Sequence, residues 1–410
     1  MRTIVINTGT ELLLGEVLNT HLAFIAREIL PLGLRVDGQL TVPDGAAIRE
    51  TLTECFSSAD IIFVTGGLGP TTDDITRELT ADLLDLELRS DPTVIAAIEE
   101  RFARRGYKWT SRIKRQANVP SGAEVLPNDN GTAPGLYLRA SLNPQLPSPH
   151  LFLLPGPPRE LQPMFVDFVL PVLKRFVPPS SVFEFLTYRI AGMGESLVEE
   201  AVGEKVLEIS GIELGYCSRP GEVDLRLLGP AAEVKRAEAI VTSTLGASIF
   251  SSRGESMEEV LVKRLLERAE TLALAESCTG GLLAHRITNV PGASGIFLAG
   301  YVTYANTAKT DVLGVDEALI EKEGAVSESV ARVMAEAARD RAKSTHALAT
   351  TGIAGPDGGT AAKPVGTVFV ALASAGKRTL VKRFDFASDR ETFKQLTAQA
   401  AFNLLRLRLL

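Results

Sequence analysis

The chain has 410 residues, of which 45% are hydrophobic and 23% are charged, and its formal net charge is −7. This length and composition predict a globular protein of two or three domains, because one hydrophobic core rarely grows this large. The acidic balance and the lack of any Lys/Arg run argue against direct binding of nucleic acid.

Cysteine content and apolar patterning bear on the cellular location. The three cysteines, Cys55, Cys217 and Cys278, are too few and too scattered for a disulfide framework or a zinc cage, which fits a reducing compartment. The start, MRTIVINTGTELLLGE, is typical of a first β-strand rather than a signal peptide, and no apolar run is long enough to span a membrane. We therefore expect a cytoplasmic protein with no membrane partner.

Residues 1–176 alternate between buried strands and amphipathic helices. Strands are predicted in TIVINTG, DIIFVTGG and HLFLLPG, and helices in NTHLAFIAREILPLG and TTDDITRELTADLLDL. Such alternation is typical of a parallel sheet covered on both faces, so we predict a three-layer α/β/α domain. Residues 141–149, SLNPQLPSP, are predicted to form a loop or hairpin tip within it.

Two linker-like stretches divide the rest of the chain. VPPSS (177–181) precedes the segment 182–250, whose order of strand, helix, strand, strand, helix and strand predicts a small α+β domain of the split βαβ, ferredoxin-like type. SSRGES (251–256) marks the second boundary, and helices and strands alternate again over 253–410. We predict a second α/β domain there, with cores that are independent across both linkers.

A glycine-rich loop between a strand and a helix is the first candidate site. The loop VTGGLGPTTDDIT contains three glycines followed by two acidic residues, Gly66, Gly67, Gly69, Asp73 and Asp74. Glycines let a ligand approach the backbone closely, and free N–H groups at a helix start favour an anion. The aspartates can hold a divalent metal or orient a water. Alternatively, they offset the helix dipole while Thr71 or Thr72 caps the helix.

Three further polar loops follow predicted strands or lie between them. NTGTELLLGEVLNT includes Thr10 and Glu11, NDNGTAPG spans 128–135, and LPGPPREL spans 154–161. The carboxyl ends of parallel strands meet at one edge of a sheet, where ligands bind in open α/β folds. We therefore expect the four loops to form one ligand crevice.

These four motifs resemble the amino-terminal domain of the CinA family, competence/damage-inducible protein A. That domain is similar to the molybdopterin-binding domains of molybdenum-cofactor enzymes. The resemblance implies metal-dependent ADP-ribose pyrophosphatase activity, with a divalent metal of unspecified identity at Asp73 and Asp74. It also implies that the glycine loop, Thr10 and Glu11 bind the substrate.

Two positions depart from the family pattern. His21 stands where Asn is more usual, and Pro157 stands where Val is common. His21 either faces the site or lies on the helix surface. Of these two, the surface position is the preferred interpretation.

LALAESCTGGLLAHRIT (272–288) places reactive side chains where a buried strand turns into a helix. Ser277 needs a base to act as a nucleophile. His285 and His346 have no obvious Asp partner in the sequence, so a Ser-His-Asp triad is not supported. Lys309 is the remaining candidate, because a buried lysine has a lowered pKa and can act as a neutral base. A solvated surface lysine is the structural alternative.

Six ordered motifs over 257–400 resemble the carboxy-terminal domain of the CinA family: AESCTGG, PGASGIF, YVTYANTAK, GAVSE, TGIAGPDGGTAAKPVGTV and SDRE. That domain is similar to stand-alone nicotinamide mononucleotide (NMN) deamidases, which are described as Ser/Lys amidohydrolases. The resemblance implies an α/β deamidase domain with six catalytic positions, Ser277, Ser294, Tyr304, Lys309, Thr351 and Arg390.

The implied reaction needs no metal or other cofactor. A serine attacks the carboxamide carbon, Lys309 takes its proton, and N–H groups of the 278–281 turn hold the oxyanion. Ammonia then leaves, protonated through Lys309 or Tyr304. Ser277 is favoured over Ser294 as the nucleophile because it lies at a strand-to-helix turn. The implied substrate-binding residues are Thr279, Gly280, Gly281, Gly355, Gly358 and Lys363.

The middle segment is KH-like by resemblance, but it lacks the Gly-x-x-Gly loop that RNA-binding KH domains use. We expect a spacer or dimer element there, and hence a homodimer. Three functions remain open: a bifunctional pyridine-nucleotide salvage enzyme acting on NMN and ADP-ribose, a non-catalytic adaptor in competence or DNA damage, and a molybdopterin-binding protein. Intact polar motifs in both α/β domains favour the first.

Overall fold

The structure is a computed structural model that describes residues 1–106, 111–142, 148–178 and 183–410. It divides into two compact units, Met1–Ser181 and Val182–Leu410. Parts of the predicted 141–149 loop and of the 177–181 linker lie outside the described residues. Within the described ranges, no helix combines the length and the apolar character needed to cross a bilayer.

The first unit contains a six-stranded sheet and a separate two-stranded sheet. Its strands are β1 (Thr3–Thr8), β2 (Val36–Val42), β3 (Ile61–Thr65), β4 (Leu88–Ser90), β5 (Asn118–Pro120), β6 (Glu124–Leu126), β7 (Gly135–Leu138) and β8 (His150–Leu154). Its helices are α1 (Thr10–Leu13), α2 (His21–Ile29), α3 (Ala46–Phe56), α4 (Thr76–Leu83), α5 (Pro92–Arg105), α6 (Ser111–Lys114), α7 (Pro158–Met164) and α8 (Leu170–Leu173).

The order of strands in this sheet is β2-β1-β3-β8-β7-β6, and β4 pairs separately with β5. The first four strands are parallel, as the alternating pattern predicts, but β7 and β6 are antiparallel. The prediction of a wholly parallel sheet was therefore wrong at this edge. The connection between β6 and β7, residues 127–134, is too short for a parallel crossover, which needs a dozen or more residues.

Helices cover both faces of the sheet, which confirms the three-layer α/β/α prediction. Ile4 and Ile6 on β1 pack with the core formed by α3, α4 and α5. Val5, between them, packs on the opposite face with the core formed by α2, α7 and α8. Successive side chains of a strand point to opposite faces, so an uninterrupted apolar strand indicates a sheet buried on both sides.

The second unit continues the numbering. Its strands are β9 (Phe183–Ala191), β10 (Glu213–Arg219), β11 (Glu222–Pro230), β12 (Ile249–Ser251), β13 (Leu272–Glu276), β14 (Phe297–Val302), β15 (His346–Gly352), β16 (Thr367–Ser374) and β17 (Lys377–Asp385). Its helices are α9 (Glu195–Leu207), α10 (Ala231–Leu245), α11 (Met257–Arg268), α12 (Leu282–Thr288), α13 (Asn306–Leu313), α14 (Glu317–Glu323), α15 (Glu328–Ala342) and α16 (Arg390–Arg408).

Strands β9 to β12 form an antiparallel sheet of order β10-β11-β9-β12, with α9 and α10 as its helices. This order confirms the split βαβ prediction for the segment. The remaining strands form a second sheet of order β14-β13-β15-β16-β17, in which β14, β13 and β15 are parallel. The sequence interpretation missed β17, an edge strand whose exposed charged residues weaken its apolar pattern.

A shared hydrophobic cluster joins the two segments of the second unit, although the first segment also has a core of its own around Val198, Val202 and Val241. Phe250 and Ala191, from the first segment, pack in the same cluster as Phe402 and Leu405 of α16. Polar contacts join the segments as well, since Gln399 donates to the Glu222 carboxylate at 2.8 Å. The segments that flank residues 251–256 therefore belong to one compact unit, and the independence of their cores stays a prediction.

Candidate functional site

Strand β13 ends at Glu276, a buried carboxylate that holds the start of α12. Its Oε2 accepts hydrogen bonds from the N–H groups of Gly281 at 3.0 Å and Leu283 at 3.1 Å, and its Oε1 accepts from Ala284 at 2.9 Å. These donors are among those that a helix start leaves without intrahelical partners. The negative charge also lies at the positive end of the helix dipole, so Glu276 fixes the geometry of the loop between them.

Ser277 lies in that loop, directly after the strand. Its side chain is 8% exposed, and its N–H donates to the Thr350 carbonyl at 3.0 Å. The Gly280 N–H donates to the Ser277 carbonyl at 3.1 Å, and the Gly281 N–H is taken by Glu276. In the described part of the chain, the N–H groups of Cys278 and Thr279 donate to no other residue, but the Cys278 N–H bonds its own sulfur, so the Thr279 N–H is the more available donor in the 278–281 turn.

Lys309 on α13 is buried, with 1% of its surface exposed. Its Nζ donates to the carbonyls of Thr303 at 3.0 Å and Tyr304 at 3.1 Å, and burial lowers the pKa of the amine. A neutral amine has two N–H donors and one lone pair, and these carbonyls account for both donors. Because the Thr303 N–H donates to the Glu276 carbonyl at 2.8 Å, Lys309 lies beside the strand end that carries Ser277.

The rim of this site carries a cation. Arg390, the first residue of α16, donates to the Tyr304 hydroxyl at 2.7 Å and to the Gly355 carbonyl at 2.8 Å. Tyr304 is 59% exposed, so the phenol and the guanidinium face solvent. Lys363 instead donates to the Glu323 carbonyl at 2.7 Å, which ties its loop to the end of α14.

Other reactive side chains of the unit do not join Ser277. Cys278 is packed behind the loop, and burial raises the pKa of its thiol to about 12. His346 lies at the amino end of β15, where it contacts the Ser374 hydroxyl at 2.9 Å and the Glu270 carboxylate at 3.1 Å. His285 lies exposed on α12 beside Asn289. Neither histidine is placed as a base for Ser277.

A cavity of about 360 Å³ in the first unit is lined by all four polar loops. Gly66 illustrates how closely the loops pack. Its φ is +104°, and a Cβ there would lie 2.7 Å from the Thr8 carbonyl oxygen. At Gly69 a Cβ would overlap the Asp74 carboxylate. Side chains are therefore excluded at these positions, and the loops present their backbone to the cavity.

Several carboxylates that line this cavity already accept hydrogen bonds. The Asp74 carboxylate accepts from the Thr71 N–H at 2.9 Å and from its hydroxyl, and Asp44 accepts from the Thr10 N–H at 3.1 Å. Glu160 accepts from Asn128 at 2.9 Å. Over the described residues, no group of three or more His, Cys, Asp or Glu side chains is placed to hold a metal.

The helix after the glycine loop starts later than the sequence indicates. Helix α4 begins at Thr76, and its N-cap residue, Ile75, offers no side-chain cap. Asp73 and Asp74 therefore precede the helix, and Asp74 closes a turn with Thr71 instead of lying in a first helical turn. The predicted helix over 71–86 was wrong at its start because the loop residues satisfy their donors locally.

His21 lies beneath the cavity, not on the surface of its helix. It is 7% exposed, its Nδ1 is 3.1 Å from the Thr65 hydroxyl, and Thr65 donates to Asn7 at 3.0 Å. Burial lowers the pKa of His21, opposed by a hydrogen bond with the backbone of Gly156. The preferred surface position was therefore wrong, because the ring packs between two of the loop-bearing strand ends.

Comparison with known proteins covers the whole chain. A protein of Akkermansia muciniphila named "CinA-like protein" is 44% identical over 401 residues, which are 98% of this chain and 96% of that protein.

The chain belongs to the CinA family.

Three family descriptions divide the CinA chain in order. "Probable molybdopterin binding domain" matches residues 4–175, "Damage-inducible protein CinA KH domain" matches 186–250, and "CinA C-terminal domain" matches 254–409. The "CinA-like protein" of Geobacter sp. strain M21 is 42% identical over 99% of this chain and 97% of its own. The crystal structure of competence/damage inducible protein CihA from Agrobacterium tumefaciens is 36% identical, covers 39% of this chain and 99% of its own, and has a TM-score of 0.36.

In the CinA C-terminal domain, the structure does not bring Ser294 to the site. Ser294 precedes β14, whereas Ser277 follows the parallel neighbour β13, and the Leu272 N–H pairs with Ile296 at the far end. Six strand residues at about 3.3 Å each put roughly 20 Å between the two sheet edges. The candidate pair of serines near Lys309 is corrected to Ser277 alone.

The same domain also places Thr350 beside the Ser277 loop, a residue that the sequence interpretation missed. Its hydroxyl is 2.8 Å from that of Thr279, and it also bonds the Cys278 sulfur. Thr351 is buried and donates to the Ala325 carbonyl at 2.8 Å, so it is corrected from a catalytic candidate to an anchor for that loop. The strand register pairs Thr350 with Glu276, beside the Ser277 loop. Because adjacent strand residues face opposite sides of a sheet, Thr351 faces the other side.

Proposed function

We propose that the second unit hydrolyses the carboxamide of NMN to nicotinic acid mononucleotide and ammonia. The observation that carries this proposal is the buried amine of Lys309. Both of its N–H groups are held by carbonyls, its pKa is lowered by burial, and it lies beside the Ser277 loop. An amine with a lowered pKa has a free lone pair over a wider range of pH than a solvated lysine does.

In the first step, the Ser277 Oγ forms a bond to the carboxamide carbon and its proton passes to the Lys309 Nζ. The carbonyl oxygen gains the negative charge and accepts from the N–H group of Thr279, with the Cys278 N–H as a second donor when it turns from its own sulfur. Gly280 and Gly281 are not donors in this scheme, because their N–H groups already have acceptors. The C–N bond then breaks, and the Lys309 ammonium returns the proton to the departing ammonia.

In the second step, water attacks the acyl-serine carbon and gives a proton to Lys309. The bond to the Ser277 Oγ breaks, the serine recovers its proton, and the product carboxylate leaves. Arg390 provides a guanidinium for the phosphate at the solvent-facing rim, with Tyr304 held beside it. No cofactor is needed in this scheme.

A second candidate activity, hydrolysis of ADP-ribose to AMP and ribose 5-phosphate, is proposed for the first unit. The glycine-loop cavity favours it, because backbone N–H groups and carboxylates face one space. A further cavity of about 700 Å³ shares the lining residue Thr132 and is lined by Arg101, Arg104 and Arg159. Two adjoining cavities with cationic and backbone donors suit a ligand that carries two phosphates.

The carboxylates fit a divalent cation that takes few protein ligands. Mg²⁺ is commonly bound by one or two carboxylates and completed by water and substrate phosphate oxygens. Asp73 and Asp74 would be those ligands, with Glu11 on the same cavity wall. A bound cation would offset the negative charge of the pyrophosphate. Molybdopterin binding in this cavity and a non-catalytic adaptor role are the alternatives.

Product analysis separates these functions. We expect the full-length protein to release ammonia and nicotinic acid mononucleotide from NMN without added metal, and AMP from ADP-ribose only with a divalent cation. The two assays are run on one preparation, with heat-inactivated protein as the blank. A preparation that is folded and turns over neither substrate supports the adaptor or molybdopterin alternative and excludes both proposed activities.

Replacing Asp73 and Asp74 together with Asn is expected to abolish metal-dependent ADP-ribose hydrolysis, because amide oxygens are weak ligands for a hard cation. NMN hydrolysis in the same protein should be unchanged, which checks folding of the other unit. The matched control replaces Asp82 and Asp85, two exposed acids at the far end of α4, with Asn. Equal loss in both double variants would show that net charge, not a metal site, matters.

A further inference from the structure

The second unit contains a cavity of about 530 Å³ that neither proposed activity uses. It lies between one face of α16, one face of β17 and turns of the 183–251 segment. Lys382 and Phe384 of the edge strand and Phe386, just after it, line one wall, and Asn403 and Arg406 line the helix wall. Its volume is within the range of small-molecule sites.

The cavity wall is cationic. Lys382 and Arg406 line it, and no Asp or Glu does. Glu222, which contacts the lining residue Gln399 from outside, is held by that amide and lies 3.5 Å from Arg189. Within the described residues, Arg406 has no carboxylate partner although it is 1% exposed. Burial and repulsion from Arg264 lower the pKa of Arg406 to about 10.

Hydrogen bonds fix the orientation of the polar groups on the helix wall. Arg406 donates to the Asn403 Oδ1 at 2.9 Å and to the carbonyls of Ala247 at 2.8 Å and Ile249 at 3.4 Å. These bonds fix the guanidinium and use three of its five N–H groups. They also turn the Asn403 oxygen toward Arg406, which leaves its Nδ2 as a donor. The wall therefore presents the Asn403 amide as an oriented donor, with the uncompensated charge of the buried Arg406 behind it.

The opposite wall presents aromatic rings. Phe384 and Phe386 are stacked with centroids 5.5 Å apart and planes 15° from parallel, and both are partly exposed. Partly exposed aromatic faces next to a cationic wall suit a molecule with a planar ring and an anionic group. Lys382 lies on the same wall as the two rings and Arg406 lies behind the helix wall, so positive charge borders the aromatic surface on both sides of the cavity.

We propose that this cavity binds a nucleoside monophosphate, with its phosphate against Lys382 and the Asn403 amide, in front of the buried charge of Arg406, and its base against Phe384 and Phe386. The binding requires neither of the proposed activities. A bound phosphate would supply the counter-charge that buried Arg406 lacks, and unpaired buried charge is costly to a protein. The ligand would contact both segments of the unit and stabilise their packing.

Calorimetric titration of the full-length protein with AMP, adenosine and inorganic phosphate tests this site. Amide hydrogen exchange locates the binding, and we expect AMP to slow exchange in residues 382–386 and 396–407. Ala400→Phe fills the cavity without touching the polar contacts, and Lys382→Ala removes one cation. Each should weaken AMP binding at this site by roughly tenfold or more, as expected for the loss of a charge-assisted contact or of the space itself.

Lys377→Ala, an exposed lysine on the same strand, is the matched control and should leave AMP affinity unchanged. The proposal fails if AMP slows exchange only in the glycine loop of the first unit, or if Ala400→Phe binds AMP as tightly as the unaltered protein. Binding of inorganic phosphate as tight as that of AMP would overturn the assignment of a nucleotide. Neither test variant alters the buried Arg406, so loss of folding does not confound the result.

Discussion

Lys309→Met is expected to lower NMN turnover by roughly 10²–10⁴-fold, the span usual for loss of a general base. Methionine keeps an apolar stem of similar length in the buried position, but its thioether sulfur is far too weak a base to take the Ser277 proton. The measurement is kcat for ammonia release from NMN. ADP-ribose hydrolysis by the same preparation should be unaffected, because Lys309 belongs to the other compact unit.

Lys309→Arg discriminates a base from an electrostatic anchor. A guanidinium stays charged at any working pH and cannot take the serine proton, so this variant should be almost as inactive as Lys309→Met. A variant with near-native turnover would show that the positive charge is what matters.

The pH profile of the unaltered protein gives an independent readout. Only the neutral amine accepts a proton, so kcat/KM should fall as pH drops through the Lys309 pKa, which burial places below its ordinary value. A profile flat through the neutral and alkaline range would contradict the assignment of Lys309 as the base.

Glu276→Gln is expected to lower both stability and NMN turnover. The carboxylate accepts three N–H groups, and an amide replaces one acceptor oxygen by a donor that faces them. Loss of a charge-assisted acceptor in a buried site costs roughly 2–3 kcal/mol. For a unit of this size we expect the melting temperature to fall by roughly 5–10 °C. Turnover should fall by up to roughly 10²-fold, since the Ser277 loop shifts.

Glu328→Gln is the matched control for this variant. Glu328 is also an acid in the first turn of a helix, but its side chain is 62% exposed and pairs only with Arg332. Its replacement should change the free energy of unfolding by less than roughly 0.5 kcal/mol. If Glu276→Gln melted and turned over NMN like the control, the buried carboxylate would not be what positions the loop.

The fold was predictable where local patterns are strong. Uninterrupted apolar strands such as β3 and β13 and the strand–helix order of 182–250 predicted the layered units and the split βαβ segment. The antiparallel strands β6 and β7 were missed because they are only three and four residues long. Strand β17 was missed because most of its solvent-exposed residues are charged, which weakens the apolar pattern of a strand. Such strands depend on their neighbours in the sheet rather than on their own composition.

The candidate site was predictable in its loops and less so in its details. The sequence interpretation named Ser277 and Lys309, which the structure places at adjacent strand ends, and the family resemblance added Ser294, which the strand direction puts at the other edge. The choice between Thr350 and Thr351 depends on which face of β15 each occupies. The part played by Glu276 depends on three N–H groups that only the folded turn brings together.

The position of Arg390 has a consequence for the balance between stability and activity. As the first residue of α16 it holds a cation at the positive end of a helix dipole, where charge of that sign costs about 0.3–1 kcal/mol. Asp389, the N-cap residue, offsets part of this by accepting from the N–H groups of Glu391 and Thr392, both at 3.0 Å. Fold stability alone would favour an acidic residue at position 390. Under the proposed function, α16 is therefore less stable with Arg390 than it would be with an acidic residue at that position. Arg390 is retained because it binds an anion.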